Sequence, residues 1–223
     1  MGFTVDEYGE EIRRLFKHIY DPGRYRIPPA DLVVYNSEKQ ISQLQFQAAG
    51  ANQPIKRDEF SFVVYIDGAC RDNGASDARA SYGVYFGPNS AYNTNGLLQA
   101  EAPQTSTRAE IEALAAALEV IKRLCKDDLK LQQIKIATDS AYLVDAMSLH
   151  IEGWIEKDGV GSRGKPVAHF ERLKMLHEML DEMEFGDDGG IEVEFWRVDR
   201  GMNKEADALA NAALDGEQKL PLV

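Results

Sequence analysis

The sequence predicts an α/β fold with a mixed sheet and helices on both of its faces. From residue 60 onward, three strand-like segments come first, and helical and strand-like segments then alternate. The strand-like segments are short runs of aromatic and β-branched residues, whereas the helical segments repeat apolar residues every three or four positions. This element order is typical of a mixed sheet that is covered by helices.

The predicted elements divide the chain into three parts. Residues 1–57 form an N-terminal extension with a helix at 8–20, a short strand at 32–35 and a partly irregular stretch at 36–57. Residues 58–215 form the main domain, and residues 216–223 form a tail. Within the main domain we predict strands at 60–67, 80–87, 96–100, 131–138 and 191–198. The helices are a long one after Thr107, with apolar core positions that begin at Ile111 and Leu114 and end at Leu124, and others at 142–150, 171–183 and 204–214. Asn203 is predicted to cap the last of these helices.

Composition restricts the classes of protein that the chain can belong to. Its 223 residues are 44% hydrophobic, enough for a sizeable core, and its formal net charge is −12. Residues 58–223 hold 30 acidic and 17 basic residues, a net charge of −13, which predicts weak affinity for nucleic-acid phosphates. Cys70 and Cys125 lack metal-binding spacing, which suits a reducing compartment. No apolar run resembles a secretory signal or is long enough for a bilayer, so we expect a cytoplasmic or nuclear protein that is not secreted and has no membrane partner.

A carboxylate ends the first predicted strand. The run from Phe62 to Ile66 has the composition of a largely buried strand, and Asp67 comes directly after it. Burying an unpaired Asp is costly, so such a residue normally has a cation or hydrogen-bond donors beside it. Gly68 and the pair Asn73–Gly74 supply the backbone freedom for a bulge and a hairpin turn. From this stretch alone, an Asp that caps a turn and an Asp in a functional site are equally good explanations.

Three further acids occupy comparable places. Glu110 lies in the first turn of the long helix, Asp139 ends the fourth strand, and Asp207 lies early in the last helix. Strand ends and facing helix starts share one crevice in an open α/β sheet, and carboxylates crowded there raise each other's pKa unless cations neutralise them. Oxygen ligands select Mg²⁺, with Mn²⁺ as a substitute, and two such ions can support phosphodiester cleavage. Each acid alone has a simpler explanation as a helix N-terminal or capping residue, but the ordered set predicts a metal site.

Four sequence segments resemble a known family, in the order and spacing that the family uses. They are YIDGACRDNG, TSTRAEIEALAAALE, IATDSAYLVD and NKEADALANAA, and together they resemble type 1 ribonuclease H over about residues 60–215. The resemblance implies a five-stranded mixed sheet flanked by helices, and an endonuclease that cuts the RNA strand of RNA–DNA hybrids. It also implies that Asp67, Glu110, Asp139 and Asp207 are catalytic acids that hold two Mg²⁺ ions with substrate bound, and that water attacks in line.

The resemblance further implies contacts with the hybrid. Asn73, Ser106 and Thr107 match positions that contact the RNA strand and its 2′-hydroxyls, the groups that distinguish RNA from DNA. Thr105 and His169 match the family's DNA-phosphate pocket, although His169 stands where the family has Asn. These five residues are therefore the expected nucleic-acid contacts around the acids.

Residues 152–170 resemble the basic handle with which the family grips DNA. Trp154, Arg163 and Lys165 are the contacts expected there, and the wider basic patch also takes in Lys157, Arg172 and Lys174. A second tryptophan that the family carries near Gly159 is missing, and Glu156 and Asp158 dilute the positive charge. A solvated mixed-charge surface explains this segment nearly as well.

The loop before Asp207 carries Arg200 where many family members carry a histidine. Arginine cannot exchange a proton near neutral pH, so Arg200 is expected to act as a fixed charge that attracts phosphate. Two other functions stay open: a non-catalytic nucleic-acid or protein binding module, and another metal nuclease of the superfold such as a proofreading exonuclease or a Holliday-junction resolvase. The four acids argue against the first, and the Thr-x-x-Arg-Ala-Glu helix start argues against the second. We expect a monomer whose partner is an RNA–DNA hybrid.

Overall fold

The computed structural model describes residues 19–24, 27–47, 53–186 and 190–216. Its strands are β1 (Val33–Asn36), β2 (Ile41–Gln47), β3 (Ile55–Arg57), β4 (Ser61–Arg71), β5 (Arg79–Tyr85), β6 (Thr94–Leu97), β7 (Gln133–Thr138) and β8 (Glu192–Arg197). Its α-helices are α1 (Ser106–Asp127), α2 (Ala141–Asp145), α3 (Ile151–Ile155), α4 (Phe170–Phe185) and α5 (Lys204–Leu214), with a π-helix at Ala146–His150. None of the described helices is long and apolar enough to cross a membrane.

Five of the strands form the predicted mixed sheet, in the order β6–β5–β4–β7–β8. β4 pairs antiparallel with β5, from Tyr65 opposite Tyr85 to Arg71 opposite Arg79, and β5 pairs antiparallel with β6. β7 runs parallel to both β4 and β8. The predicted fold class is therefore confirmed, and the predicted strands differ from the observed ones mainly at their ends.

Helices α1 and α5 pack on opposite faces of β4 and β5, at positions where a glycine leaves room. Side chains alternate between the two faces along a strand. Asp67 and Gly83, which pair with each other, therefore face one side of the sheet, and Gly68 faces the other side. A Cβ atom on Gly68 would lie 2.3 Å from the backbone nitrogen of Glu110 in α1. A Cβ atom on Gly83 would lie 2.3 Å from the carbonyl oxygen of Ala206 in α5. The two glycines thus bring both helices against the part of the sheet that carries Asp67.

The main hydrophobic core lies between the sheet and the helices on the α1 side. Phe62, Val64 and Ile66 of β4 are fully buried against the apolar face of α1, which includes the predicted core positions Ile111 and Leu114. Residues of α2, α3 and α4 complete this core. The helical periodicity of the sequence therefore identified the buried face of α1 correctly.

The N-terminal segment adds strands to the same sheet. β2 forms where the sequence predicts a partly irregular stretch, because it pairs with β1 and, at Ser42 opposite Val63, with β4. The backbone nitrogen of Ser42 also donates to the carbonyl oxygen of Phe86 at 2.8 Å, directly after β5. β2 therefore lies beside β4 where the pairing of β4 with β5 has ended. Of the predicted helix at 8–20, only residues 19–20 lie within the described residues. Ile19 forms a parallel bridge with Phe195 of β8, so the chain is not helical there.

A second core lies on the α5 side of the sheet. Leu32 and Leu44 from the N-terminal segment pack there with Val63 of β4 and Trp196 of β8. Tyr20 meets Trp196 edge to face, with ring centroids 5.2 Å apart. The N-terminal segment therefore covers apolar surface that the five central strands would otherwise expose.

Candidate active site

Asp67 lies within β4 rather than at its end. The sequence predicts a strand that stops at Asp67, but β4 continues to Arg71 because its pairing with β5 continues, with Asp67 opposite Gly83. On its other side β4 loses its partner earlier, where Tyr65 lies opposite Ala137 in the parallel pairing with β7. Asp67 therefore lies just beyond the paired part of β7, beside the residues that follow that strand.

The other three predicted acids lie around the same point. Asp139 directly follows β7, Asp207 lies in the first turn of α5, and Glu110 is the fifth residue of α1. Glu110 is thus slightly deeper in its helix than predicted, because α1 begins at Ser106. Asp67 is 8% exposed, whereas the side chains of Asp139 and Asp207 are 22% and 43% exposed. These four residues form what we call the carboxylate crevice, which is buried at Asp67 and open at Asp207.

The pKa values of two acids show that the crevice concentrates negative charge. Burial, followed by the charge of Asp139 and then those of Asp207 and Glu110, raises the pKa of Asp67 to about 7. Burial also raises the pKa of Glu110, assisted by the charge of Asp139 and opposed by a hydrogen bond from Ser140. All three other acids therefore act on Asp67, which makes it the electrostatic centre of the crevice.

Ser140 holds Glu110 in place, a role that sequence reasoning missed. Its Oγ donates to Oε2 of Glu110 at 2.5 Å and accepts a hydrogen bond from the backbone nitrogen of Leu143 at 3.2 Å. Ser140 is thus the N-cap of α2, so the alternative that Asp139 serves as that cap is wrong. The only sequence signal was the position of Ser140 directly after Asp139.

Asn203 ties the elements of three acids together, which sequence reasoning also missed. It was predicted to cap α5, but its side chain makes no capping bond there. Instead, its Nδ2 donates to the carbonyl oxygen of Ile66 at 3.0 Å and to Oδ1 of Asp139 at 3.2 Å. Asn203 is 1% exposed, so these contacts hold β4 and Asp139 against the start of α5, four residues before Asp207.

Arg200 lies at the open side of the crevice. Its Nε is 3.9 Å from Oδ2 of Asp139, and its Nη2 is 4.0 Å from Oδ1 of Asp207. The side chain is 84% exposed, and ion pairs of this kind contribute little stability. Arg200 is therefore a loosely held positive charge at the entrance rather than a structural ion pair.

The donor chemistry of the crevice suits hard divalent cations. All four acids offer carboxylate oxygens, and Oδ1 of Asn203 is a further buried acceptor without a hydrogen-bond partner among the described residues. Within the described ranges, no three His, Cys, Asp or Glu side chains lie close enough together to hold a metal ion between them. The crevice is thus an open set of oxygen donors, which fits Mg²⁺ because this ion binds one or two carboxylates and completes its shell with water and substrate phosphates.

Comparison with known proteins identifies the family. The RNase H family model matches residues 59–215, well over half of the chain. The chain belongs to the RNase H family. It is 32% identical to ribonuclease H1 of Homo sapiens over 136 residues, which cover 59% of this chain and 45% of the human protein. It is also 32% identical to ribonuclease H of Paracidovorax citrulli over 158 residues, which cover 69% of this chain and 93% of that protein.

The lengths of these relatives differ. The chain spans about half the length of the human relative and nearly all of the bacterial one.

Among solved structures, a ribonuclease H1 isolated from compost by a metagenomic approach resembles the chain with a TM-score of 0.48 and 23% identity, over 69% of this chain and 95% of that one. Membership of the RNase H family rests on the family match, and the strand order described above agrees with it.

The RNase H motif residues predicted to contact RNA lie on two adjoining segments. Asn73 is exposed in the turn between β4 and β5, while Ser106 and Thr107 form the first residues of α1. Cys70 links the segments, because its Sγ lies 3.8 Å from Oδ1 of Asn73 and 3.5 Å from the carbonyl oxygen that precedes Thr105. The structure therefore brings Asn73 beside the start of α1, next to the carboxylate crevice.

Thr105 and His169, the predicted phosphate pair, have Arg108 as a common neighbour. Thr105 is the N-cap of α1, and its Oγ1 accepts a hydrogen bond from the backbone nitrogen of Arg108 at 3.2 Å, which leaves its hydroxyl proton free to donate. His169 precedes α4 with a left-handed backbone, φ 59°. Burial and the charge of Arg108 lower the pKa of His169, which favours its neutral imidazole.

The predicted handle is only partly a charged surface. Val160 and Pro166 form an antiparallel bridge that closes a short loop between α3 and α4. Arg163 and Lys165 lie exposed in this loop. Trp154 is half-buried and packs against the main core. The handle therefore presents three cations to solvent, Lys157, Arg163 and Lys165, whereas part of its tryptophan is used in packing.

Proposed function

We propose that this protein is a metal-dependent endonuclease that hydrolyses the RNA strand of RNA–DNA hybrids. The observation that carries the proposal is the carboxylate crevice, in which burial, together with the charges of three acids, raises the pKa of Asp67. Acids crowded in this way destabilise the fold without cations. Their presence in a chain of the RNase H family is explained if they bind cations during catalysis. The human and bacterial relatives are named ribonuclease H1 and ribonuclease H.

The chain's own side chains orient the acids and supply charge. Asp67, Glu110, Asp139 and Asp207 would hold two divalent cations, Mg²⁺ or Mn²⁺. When bound, these ions would neutralise the acids, polarise the scissile phosphate and lower the pKa of the attacking water. Ser140 fixes the carboxylate of Glu110, and Asn203 fixes that of Asp139. Both supports are buried or nearly so, so the acids keep their spacing when a substrate arrives.

Arg200 has a different task in this proposal. Its guanidinium lies close to two acids but forms no hydrogen bond with either, so it is free to contact an incoming phosphate oxygen. Because it keeps its proton at neutral pH, it contributes attraction and not proton transfer. We assign it to phosphate binding at the entrance of the crevice.

Selection of RNA would depend on the rim of the crevice. Asn73, Ser106 and Thr107 offer an amide and two hydroxyls beside the acids, groups that can hydrogen-bond a 2′-hydroxyl. Thr105, at the N-cap of α1, and His169, directly before α4, would hold a phosphate of the DNA strand. A substrate with one ribose strand and one deoxyribose strand satisfies both sets, which supports a hybrid rather than a duplex of one kind.

A substrate panel tests this proposal. Purified protein is incubated with labelled RNA–DNA hybrid, double-stranded RNA, double-stranded DNA and single strands, each with Mg²⁺ or with EDTA. We expect internal cuts in the RNA of the hybrid, with Mg²⁺ alone. Hybrid binding without cleavage would instead indicate a non-catalytic module, and shortening of DNA from its ends would indicate an exonuclease.

A further inference from the structure

A cavity of about 490 Å³ lies outside the carboxylate crevice, between the segment after β6, one side of α1, and α4. This volume is typical of small-molecule sites. Its apolar lining includes Leu98, Ala115, Ala116, Met179 and the ring of Tyr82. None of the four acids lines it, so nothing in the proposed hydrolysis accounts for it.

Two arginines share a single carboxylate in the wall of this cavity. Arg172 binds Glu112 through two hydrogen bonds, Nη2 to Oε2 at 2.5 Å and Nε to Oε1 at 3.1 Å. Arg108 donates from Nε to the same Oε1 at 2.7 Å. The expectation that Arg172 belongs to the basic handle is therefore wrong, because α4 turns this side chain toward α1. The three side chains carry a net charge of +1 and are only 17–26% exposed.

Arg108 keeps donors that no other group uses. Its Nη1 and Nη2 have no hydrogen-bond partner within the described part of the chain, although its side chain is 19% exposed. Neither atom is among the buried unpaired atoms of the described residues, so both reach solvent in the cavity, where an anion can accept their hydrogen bonds in place of water. Phosphate and carboxylate are the anions whose geometry suits a guanidinium.

The cavity also has a positive charge at one end and a negative charge at the other, along α1. Glu119 lines it 11 residues beyond Arg108, which corresponds to about 16 Å along a helix. The apolar lining at Ala115 and Ala116 lies between these two charges. A matching ligand therefore has an anion at one end, an apolar body and hydrogen-bond donors at the other end.

We propose that this cavity binds a nucleoside monophosphate, or the same group at the 5′ end of a nucleic-acid strand. Its phosphate would contact Arg108 and Arg172, and its base would lie against Tyr82 and Met179. An exocyclic amine on the base would point toward the acidic end of the cavity. The cavity shares Arg108 with the predicted phosphate pair, so it adjoins the proposed hybrid surface, but its occupancy does not depend on hydrolysis.

Titrations in EDTA test the ligand class, because without Mg²⁺ the carboxylate crevice repels phosphate. The probes are dAMP, deoxyadenosine and inorganic phosphate, and binding is followed by calorimetry and by the shift in Tm. We expect saturable binding of dAMP that is at least 10-fold tighter than binding of deoxyadenosine or phosphate. Equal affinity for dAMP and inorganic phosphate, or no binding of dAMP, would overturn the proposal.

Three variants locate the binding. Ala116→Phe fills the cavity, Arg172→Gln removes one cation without closing it, and Lys130→Gln is the matched control at an exposed lysine outside the cavity. Both cavity variants should weaken dAMP binding at least 10-fold, and Lys130→Gln should leave it unchanged. If Ala116→Phe fails to fold, Arg172→Gln alone decides. Unchanged binding by Arg172→Gln would place the nucleotide elsewhere and overturn the assignment.

A competition experiment separates the two sources of the ligand. Deoxyoligonucleotides with and without a 5′-phosphate are added to the protein saturated with dAMP. Displacement by the phosphorylated strand only supports a strand end as the occupant, and displacement by neither supports a free nucleotide. Equal displacement by both strands would show that the terminal phosphate is not recognised and would contradict the proposal. These measurements contain no cleavage step, so their failure leaves the proposed hydrolysis untouched.

Discussion

Replacing Asp67 by Asn measures how strongly the carboxylate crevice destabilises the metal-free fold. The pKa of Asp67 is raised from 3.8 to about 7 in the folded chain. A difference of about three units, at 1.36 kcal/mol per unit, corresponds to a cost of about 4 kcal/mol. This is a large fraction of the 5–15 kcal/mol by which folded domains are usually stable.

The sign of the effect depends on pH. Between the two pKa values the folded chain keeps a proton on Asp67 that the unfolded chain has released, so stability falls as pH rises. The cost is absent below about pH 4, grows through pH 7 and is constant above it. In EDTA, Asp67→Asn should therefore be more stable than the wild type by up to about 4 kcal/mol at pH 8, and nearly equal to it at pH 4.

Urea unfolding at pH 4, 5.5 and 8 is the assay, with the free energy of unfolding obtained by linear extrapolation. Asp77→Asn is the control, because Asp77 is exposed in the turn after β4, and its change should stay within about 0.5 kcal/mol. Added Mg²⁺ should stabilise the wild type more than Asp67→Asn at pH 8, since ions that bind only the folded state stabilise it. A variant that is no more stable than the wild type at pH 8 would refute the argument that burial and the neighbouring charges destabilise ionised Asp67.

Three further predictions concern packing, the entrance and the handle. Gly68→Ala or Gly83→Ala should each lower stability by about 1–3 kcal/mol and reduce hybrid cleavage at least 10-fold, measured by urea unfolding and single-turnover kinetics, because the new Cβ displaces α1 or α5. Arg200→Ala should slow cleavage by about 10-fold, and the wild-type pH–rate profile should show no descending limb near neutrality; a bell-shaped profile would contradict this. Neutralising Arg163 and Lys165 together should weaken hybrid binding and make the slope of log K against log salt concentration shallower by about two phosphate contacts. An unchanged slope would show that the handle does not contact the hybrid.

Much of the fold could be predicted because its signals are local. The apolar periodicity of α1 and the β-branched runs of the central strands depend on neighbouring residues, and each marked an element that the structure contains. Asp139 and Asp207 could be placed in one crevice because strand ends and helix starts meet at one edge of such a sheet. The four acids therefore follow from the order of elements together with the family motifs.

The features that were mispredicted depend on contacts between distant parts of the chain. β2 exists because β5 ends at Tyr85 and leaves part of β4 unpaired, which no pattern within residues 36–57 indicates. β4 runs past Asp67 because β5 continues beside it after β7 has ended. Asn203 and Arg172 have polar side chains whose partners lie on other elements, so sequence position suggested a cap and a surface charge instead.

The most direct measurement of the central claim is single-turnover cleavage of a labelled RNA–DNA hybrid across a Mg²⁺ titration, for the wild type and Asp67→Asn. The account predicts Mg²⁺-dependent cuts within the RNA strand by the wild type and no cleavage above a tenth of that rate by the variant, while hybrid binding stays intact. Cleavage by Asp67→Asn at a rate close to the wild type, or cleavage that persists in EDTA, would contradict the assignment of the carboxylate crevice as the active site.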